Sequence, residues 1–256
     1  MNIFFNYYIQ TYLYGFVQYL RKPYQVEKIF RKIPIWKMLL FYSPILLLLT
    51  GVSLFIMIVL LIPINQVLHD YNFVFETFIN NEHVARTRQS MTTIQLLLAS
   101  SVIAPIIEEI GFRLYLKYSK LNLALSISFL VYYYLPGKGF SSDLGTYLML
   151  EFYIRLLYLA FTFLLVYFVL NFKKIEDLIG NIWNKKFSYI FYFSAFLFGT
   201  IHIFNNNISL YTVLFGPIIQ LSTIVGGIVF GYVRVKHGIK YSIALHSLNN
   251  FVVWLL

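Results

Sequence analysis

Long apolar runs separated by short basic stretches set the pattern of this chain. Seven runs read as membrane-spanning helices: residues 36–62, 92–116, 121–136, 147–171, 188–204, 209–233 and 239–256. A spanning helix needs roughly 20 mostly apolar residues, and most of these runs meet that length. Residues 1–20 carry no charged side chain and are rich in tyrosine. Within them Asn2, Asn6 and Gln10 are spaced four apart and share one helix side, which favours a helix lying in the interface over an eighth span. The pattern predicts an all-α, polytopic transmembrane helical bundle of about seven spans plus that N-terminal interfacial or eighth helix. Residues 1–35 form an N-terminal interfacial amphipathic segment, and residues 36–256 a single membrane-embedded helical domain without internal repeat or linker.

Composition agrees. Of 256 residues 59% are hydrophobic and 12% charged, against about a quarter charged in soluble domains. A soluble domain of this length could not bury so much apolar material. Cysteine is absent, which removes disulfides and thiolate chemistry. The first charged side chain, Arg21, follows the apolar start, which argues against a cleavable signal peptide.

The net charge of +10 bears on topology and anionic lipid rather than nucleic acid. Fifteen lysines and arginines fall in segments 21–37, 117–120, 172–187 and 234–240, and three in the alternate segments 63–91, 137–146 and 205–208. The positive-inside rule then places the N-terminus in the cytoplasm. Abundant Ile, Asn, Lys, Phe and Tyr suit an AT-rich bacterial genome, so the expected location is integral to a bacterial cytoplasmic membrane, N-terminus inside.

Ionisable groups at membrane depth are costly and face a bundle interior or a wet cavity. Here they are Glu108, Glu109 and Arg113, then Glu151 and Arg155, then His202 and His246, the last with Asn249 and Asn250 beside it. Glu109 and Arg113 are four apart and can pair, and so can Glu151 and Arg155. Glu108 finds only Ala104, Pro105, Gly111 and Phe112 at helical neighbour positions, so its partner comes from another helix. Burial tunes a carboxylate for general-base work; the bland reading is a protonated structural glutamate. His246 and Asn250 share one helix face. With His202 and Glu108 they could hold a water, polarise a carbonyl and stabilise an oxyanion. Glu108, His202 and His246 also make a familiar zinc set, but without an HExxH helix it would be assembled from three helices. At about 1.5 Å per residue, Glu108 and His246 lie roughly 12 and 10 Å from the inner ends of their spans, and His202 about 20 Å. A level site therefore requires tilt or a break in the fifth span. His69, His83 and His237 read as solvent-facing loop residues, and the glycines of 226–231 as allowing close helix packing.

Ala104-Pro105-x-x-Glu108-Glu109-x-x-Phe112-Arg113 resembles the first motif, Glu-Glu-x-x-x-Arg, of the CPBP family of CAAX proteases and bacteriocin-processing enzymes. Phe198 and His202 match its second motif, Phe-x-x-x-His. His246 and Asn250 match its third, His-x-x-x-Asn. The three occur in order, each on a predicted span, and the resemblance covers residues 92–256.

The resemblance implies a membrane-embedded endopeptidase. Glu108 would activate the attacking water, and His202, His246 and Asn250 would bind that water, the scissile carbonyl or a metal. Glu109, Arg113 and Phe198 would support the site. The implied partners are a peptide or lipidated-peptide substrate and the lipid bilayer, with no nucleic acid. One divalent metal such as zinc is one reading of the cofactor; a metal-free, glutamate-activated water is slightly preferred. The alternatives are a non-catalytic relative that binds a peptide or gives bacteriocin immunity, and a transporter that uses the buried carboxylates.

Overall fold

The computed structural model describes residues 9–24, 33–67, 92–135, 144–205 and 210–255. It is built of helices, with no strand among the described residues. A π-turn, Ile9–Tyr14, leads into α1 (Gly15–Arg21). Then come α2 (Ile35–Val67), α3 (Thr93–Leu116), α4 (Lys120–Tyr134) and α5 (Leu150–Leu170). The last four are α6 (Lys173–Ile201), α7 (Leu210–Ile219), α8 (Leu221–His237) and α9 (Ile239–Leu255).

Among the described residues four helices (α2, α3, α5 and α6 with its following turn) are long and apolar enough to cross a membrane, or five if α7 and α8, bent by 55°, form one broken span. Seven was the expectation. The difference lies in α4 and α9, of 15 and 17 residues, which fall short of a spanning length. The outward sides of α2 and α5 are apolar: Leu48, Phe55, Leu157 and Phe161 are each more than 60% exposed. An apolar belt of that extent suits lipid, not water, and the protein is an integral membrane protein.

Local chemistry sets the element ends. Thr92 caps α3 in a capping box with Gln95, and the Ser119 hydroxyl accepts the Asn122 amide at the start of α4. Gly238 joins α8 to α9 at φ +108°, a conformation that favours glycine. The basic stretch 172–187, read as a loop, is mostly helix: α6 begins at Lys173 and is kinked at Lys186. Arg234, counted with the basic loops, is a buried residue of α8.

The main core joins both ends of the chain. Phe16 and Tyr19 of α1 are buried with Met38, Tyr42 and Leu46 of α2, Phe191 of α6, and Val229, Tyr232 and Val233 of α8. The short α1 is thus packed into the bundle by one face. Close approach of α6 and α8 relies on glycine. A Cβ on Gly227 would stand 3.1 Å from the Ala195 carbonyl oxygen, and one on Gly199 2.2 Å from Ile224. The packing role read for the 226–231 glycines is therefore observed.

His237 is corrected. It is buried, not solvent-facing, and its Nε2 lies 3.0 Å from the Tyr42 hydroxyl. As the last residue of a helix before a glycine, it only resembled loop sequence. His69 and His83, with most of the long loop between α2 and α3, lie outside the described residues, as do residues 1–8, 25–32, 136–143 and 206–209.

Candidate active site

The site forms where α3, α4, α6 and α9 meet. Glu108, Glu109 and Arg113 lie on the Ala104–Arg113 part of α3, which follows a π-turn at Ala99–Ile103. All three are buried, Glu109 completely. Arg113 Nη1 donates to Glu109 Oε1 at 2.7 Å, so the pair expected from the spacing exists. The same oxygen faces His246 Nδ1 at 2.9 Å. The other carboxylate oxygen of Glu109 lies against the Ser242 hydroxyl, which also sits 3.0 Å from the Phe230 carbonyl. Glu109 is thus saturated by donors. It is a fixed anion, not a group free to take up a proton.

That saturation assigns the His246 tautomer. A carboxylate only accepts, so Nδ1 carries the hydrogen and Nε2 of the neutral ring presents a lone pair. The ring stacks on Phe230, centroids 4.5 Å apart and planes at 18°. His202 is assigned the same way: its Nδ1 lies 2.6 Å from the Phe198 carbonyl oxygen, itself an acceptor. Both imidazoles therefore direct Nε2 towards Glu108. The distances from Oε2 are 3.7 Å to His246 and 3.9 Å to His202. Each is longer than a hydrogen bond, and the gap suits one bridging water.

Glu108 does find its partners on other helices, as its empty neighbour positions required. Level assembly with His202 is also met: α6 is kinked at Lys186, and His202 opens a short 3-10 turn at its far end. Phe198 supports the site twice. Its ring covers the Arg113 guanidinium at 3.7 Å while its carbonyl fixes His202. This contact compensates for Arg113 Nε and Nη2, which have no hydrogen-bond partner among the described residues. Arg234 clamps the end of α3, donating to the carbonyls of Arg113 at 3.2 Å and Leu114 at 2.9 Å.

Asn250 reaches α3 two turns before Glu108. Its Nδ2 donates to the Ser100 carbonyl in the π-turn at 3.0 Å. The second helical pair is not formed: Glu151 is exposed, while Arg155 is buried and donates to the Tyr132 carbonyl at 2.8 Å. Tyr133 was not singled out from sequence. Its hydroxyl donates to Glu108 Oε1 at 3.1 Å. The only signal was three consecutive tyrosines at the end of an apolar helix.

The donor types of Glu108, His202 and His246 suit zinc, but their spacing does not form a ready site. Ligands at 2.0–2.1 Å on a tetrahedral ion lie about 3.3 Å apart, closer than the separations here. Among the described residues, no group of three or more His, Cys, Asp or Glu is arranged to hold a metal ion.

A helical membrane bundle that buries two adjacent carboxylates beside a guanidinium, and turns two imidazoles towards one of them, has the make-up of a membrane hydrolase. The family model for Type II CAAX prenyl endopeptidases, Rce1-like, matches residues 90–252. The chain belongs to that family, a family of membrane endopeptidases acting on peptides. No curated protein and no solved structure matches it.

Proposed function

We propose that this protein cleaves a peptide bond inside the membrane with a water activated by Glu108. The observation that carries this reading is the convergence of both Nε2 atoms on Glu108 Oε2, at 3.7 and 3.9 Å. The cluster carries two carboxylates and one guanidinium.

Glu108 Oε2 takes one proton from a water whose other hydrogen is accepted by His246 Nε2. The hydroxide oxygen bonds to the scissile carbonyl carbon, and the carbonyl π pair moves onto its oxygen. The adduct collapses with cleavage of the C–N bond, and Glu108 returns its proton to the leaving nitrogen. His202, more exposed than His246 (23% against 4%), is the ring on the open side of the site, where its Nε2 accepts rather than donates. Glu109 holds His246 in its tautomer. The route uses only the chain's own groups and is metal-free. The family description supports a prenylated peptide as substrate, entering from the membrane.

The test is cleavage of a prenylated CAAX peptide by Glu108→Gln against wild type in the same detergent. The swap keeps shape and removes the base. The expected result is loss of roughly a hundredfold or more, the usual range for general-base catalysis, with an unchanged thermal midpoint. Full activity in the folded variant would overturn the reading.

A further inference from the structure

Tyr133 is tied to the proposed base from a different helix, and the tie is built, not incidental. At the end of α4 three tyrosines follow one another, each turned about 100° from the last. Tyr132 is buried, and its carbonyl accepts from Arg155. Tyr134 packs edge-on to Phe112 at 6.4 Å. Tyr133, between them, is the one whose hydroxyl meets Glu108.

The distance from α4 to α3 is itself held. Ser126 Oγ donates to the Ile110 carbonyl at 2.8 Å and accepts the Tyr115 amide at 3.1 Å. Gly111 lets Leu130 approach so closely that a Cβ would stand 3.0 Å from its Cδ2. Tyr133 lies two turns along α4 from Ser126, so its hydroxyl is positioned by a rigid pair of helices.

We propose that Tyr133 is a positioning residue for the hydrolytic step. It acts through Glu108, occupying Oε1 so that Oε2 alone faces the imidazoles and the water between them. A carboxylate on a flexible side chain otherwise rotates and presents either oxygen. With Oε1 engaged, the proton is taken at one atom and returned from it. Tyr133 is 37% exposed while Glu108 is 6% exposed, so Tyr133 also lies on the open side of the base. The inference rests on the protease reading, since it assigns Tyr133 a part in the reaction of Glu108.

The experiment compares Tyr133→Phe, Tyr134→Phe, Glu108→Gln and wild type on one prenylated peptide, with kcat and KM resolved and thermal midpoints measured. Tyr133→Phe keeps the ring and removes the donor. The expected result is a kcat about ten- to a hundredfold lower, as for a lost hydrogen bond to a charged group. KM and the thermal midpoint stay near wild type, and Tyr134→Phe keeps its kcat. Wild-type kcat in Tyr133→Phe, with Glu108→Gln inactive, overturns the inference and leaves the protease reading intact. Equal loss in both tyrosine variants with lowered midpoints also overturns it, because the role is then packing. An active Glu108→Gln removes the protease reading itself.

Discussion

Glu109 and Glu108 are neighbours with opposite duties, and the difference lies in who faces them. Arg113, His246 and Ser242 all meet Glu109, whereas the charged group's partners around Glu108 are one phenol and two distant imidazoles. Replacing Glu109 with Gln leaves Arg113 buried without its counter-charge. We expect a destabilisation of about 3–5 kcal/mol, read as a lowered thermal midpoint, where Glu108→Gln shows none. The sequence revealed much of this. The spacing of four disclosed the Glu109–Arg113 pair, and the empty neighbour positions of Glu108 sent its partners to other helices. Spacing alone misled at Glu151 and Arg155, because i,i+4 geometry permits a pair without requiring one. Tyr133 stayed hidden because a tyrosine in an aromatic-rich chain carries neither charge nor periodicity to mark it. Asn250 was legible by motif, but its bond to Ser100 depends on a π-turn that no residue pattern announces.

Helix packing brings His202 and His246 together. α6 and α8 touch through glycine: the Gly199 position faces Ile224, with its backbone nitrogen 2.7 Å from where a Cβ would stand. Because backbone cannot yield as a side chain end can, Gly199→Ala forces the helices apart. We expect a loss of about 1–3 kcal/mol, the usual size of an overpacking penalty. Cleavage should fall even below the unfolding temperature, since Gly199 lies one turn from His202. Thermal midpoint and kcat measured together check this, and an unchanged pair would show that α6 accommodates the methyl. The glycine run 226–231 announced close packing of α8, as at Gly227 against Ala195, but Gly199 was not singled out. The kink at Lys186 and the helical state of 173–187 were not readable, because a lysine-rich stretch looks the same on a helix end as in a loop.

At the scale of the whole molecule, the family match begins at residue 90, yet the core beneath the site draws on Phe16, Tyr19, Met38, Tyr42 and Leu46. Apolar runs forecast a membrane bundle well, since hydropathy reports lipid directly. They could not show that α1 is sewn into the core or that α7 and α8 bend, because those outcomes depend on partners far along the chain. We expect removal of residues 1–24 to lower the thermal midpoint and the yield of folded protein, although no candidate site residue is lost; purified yield and midpoint of the truncated chain check this. The shared core also bears on the order of synthesis. Glu109 meets Arg113 four residues after it is made, so that charge is neutralised within its own helix. Glu108 waits: Tyr133 is the first of its partners to leave the ribosome, His202 follows, and His246 arrives only with the last helix. Until His202 follows, the tyrosine is the one of these partners that the carboxylate has in the bilayer.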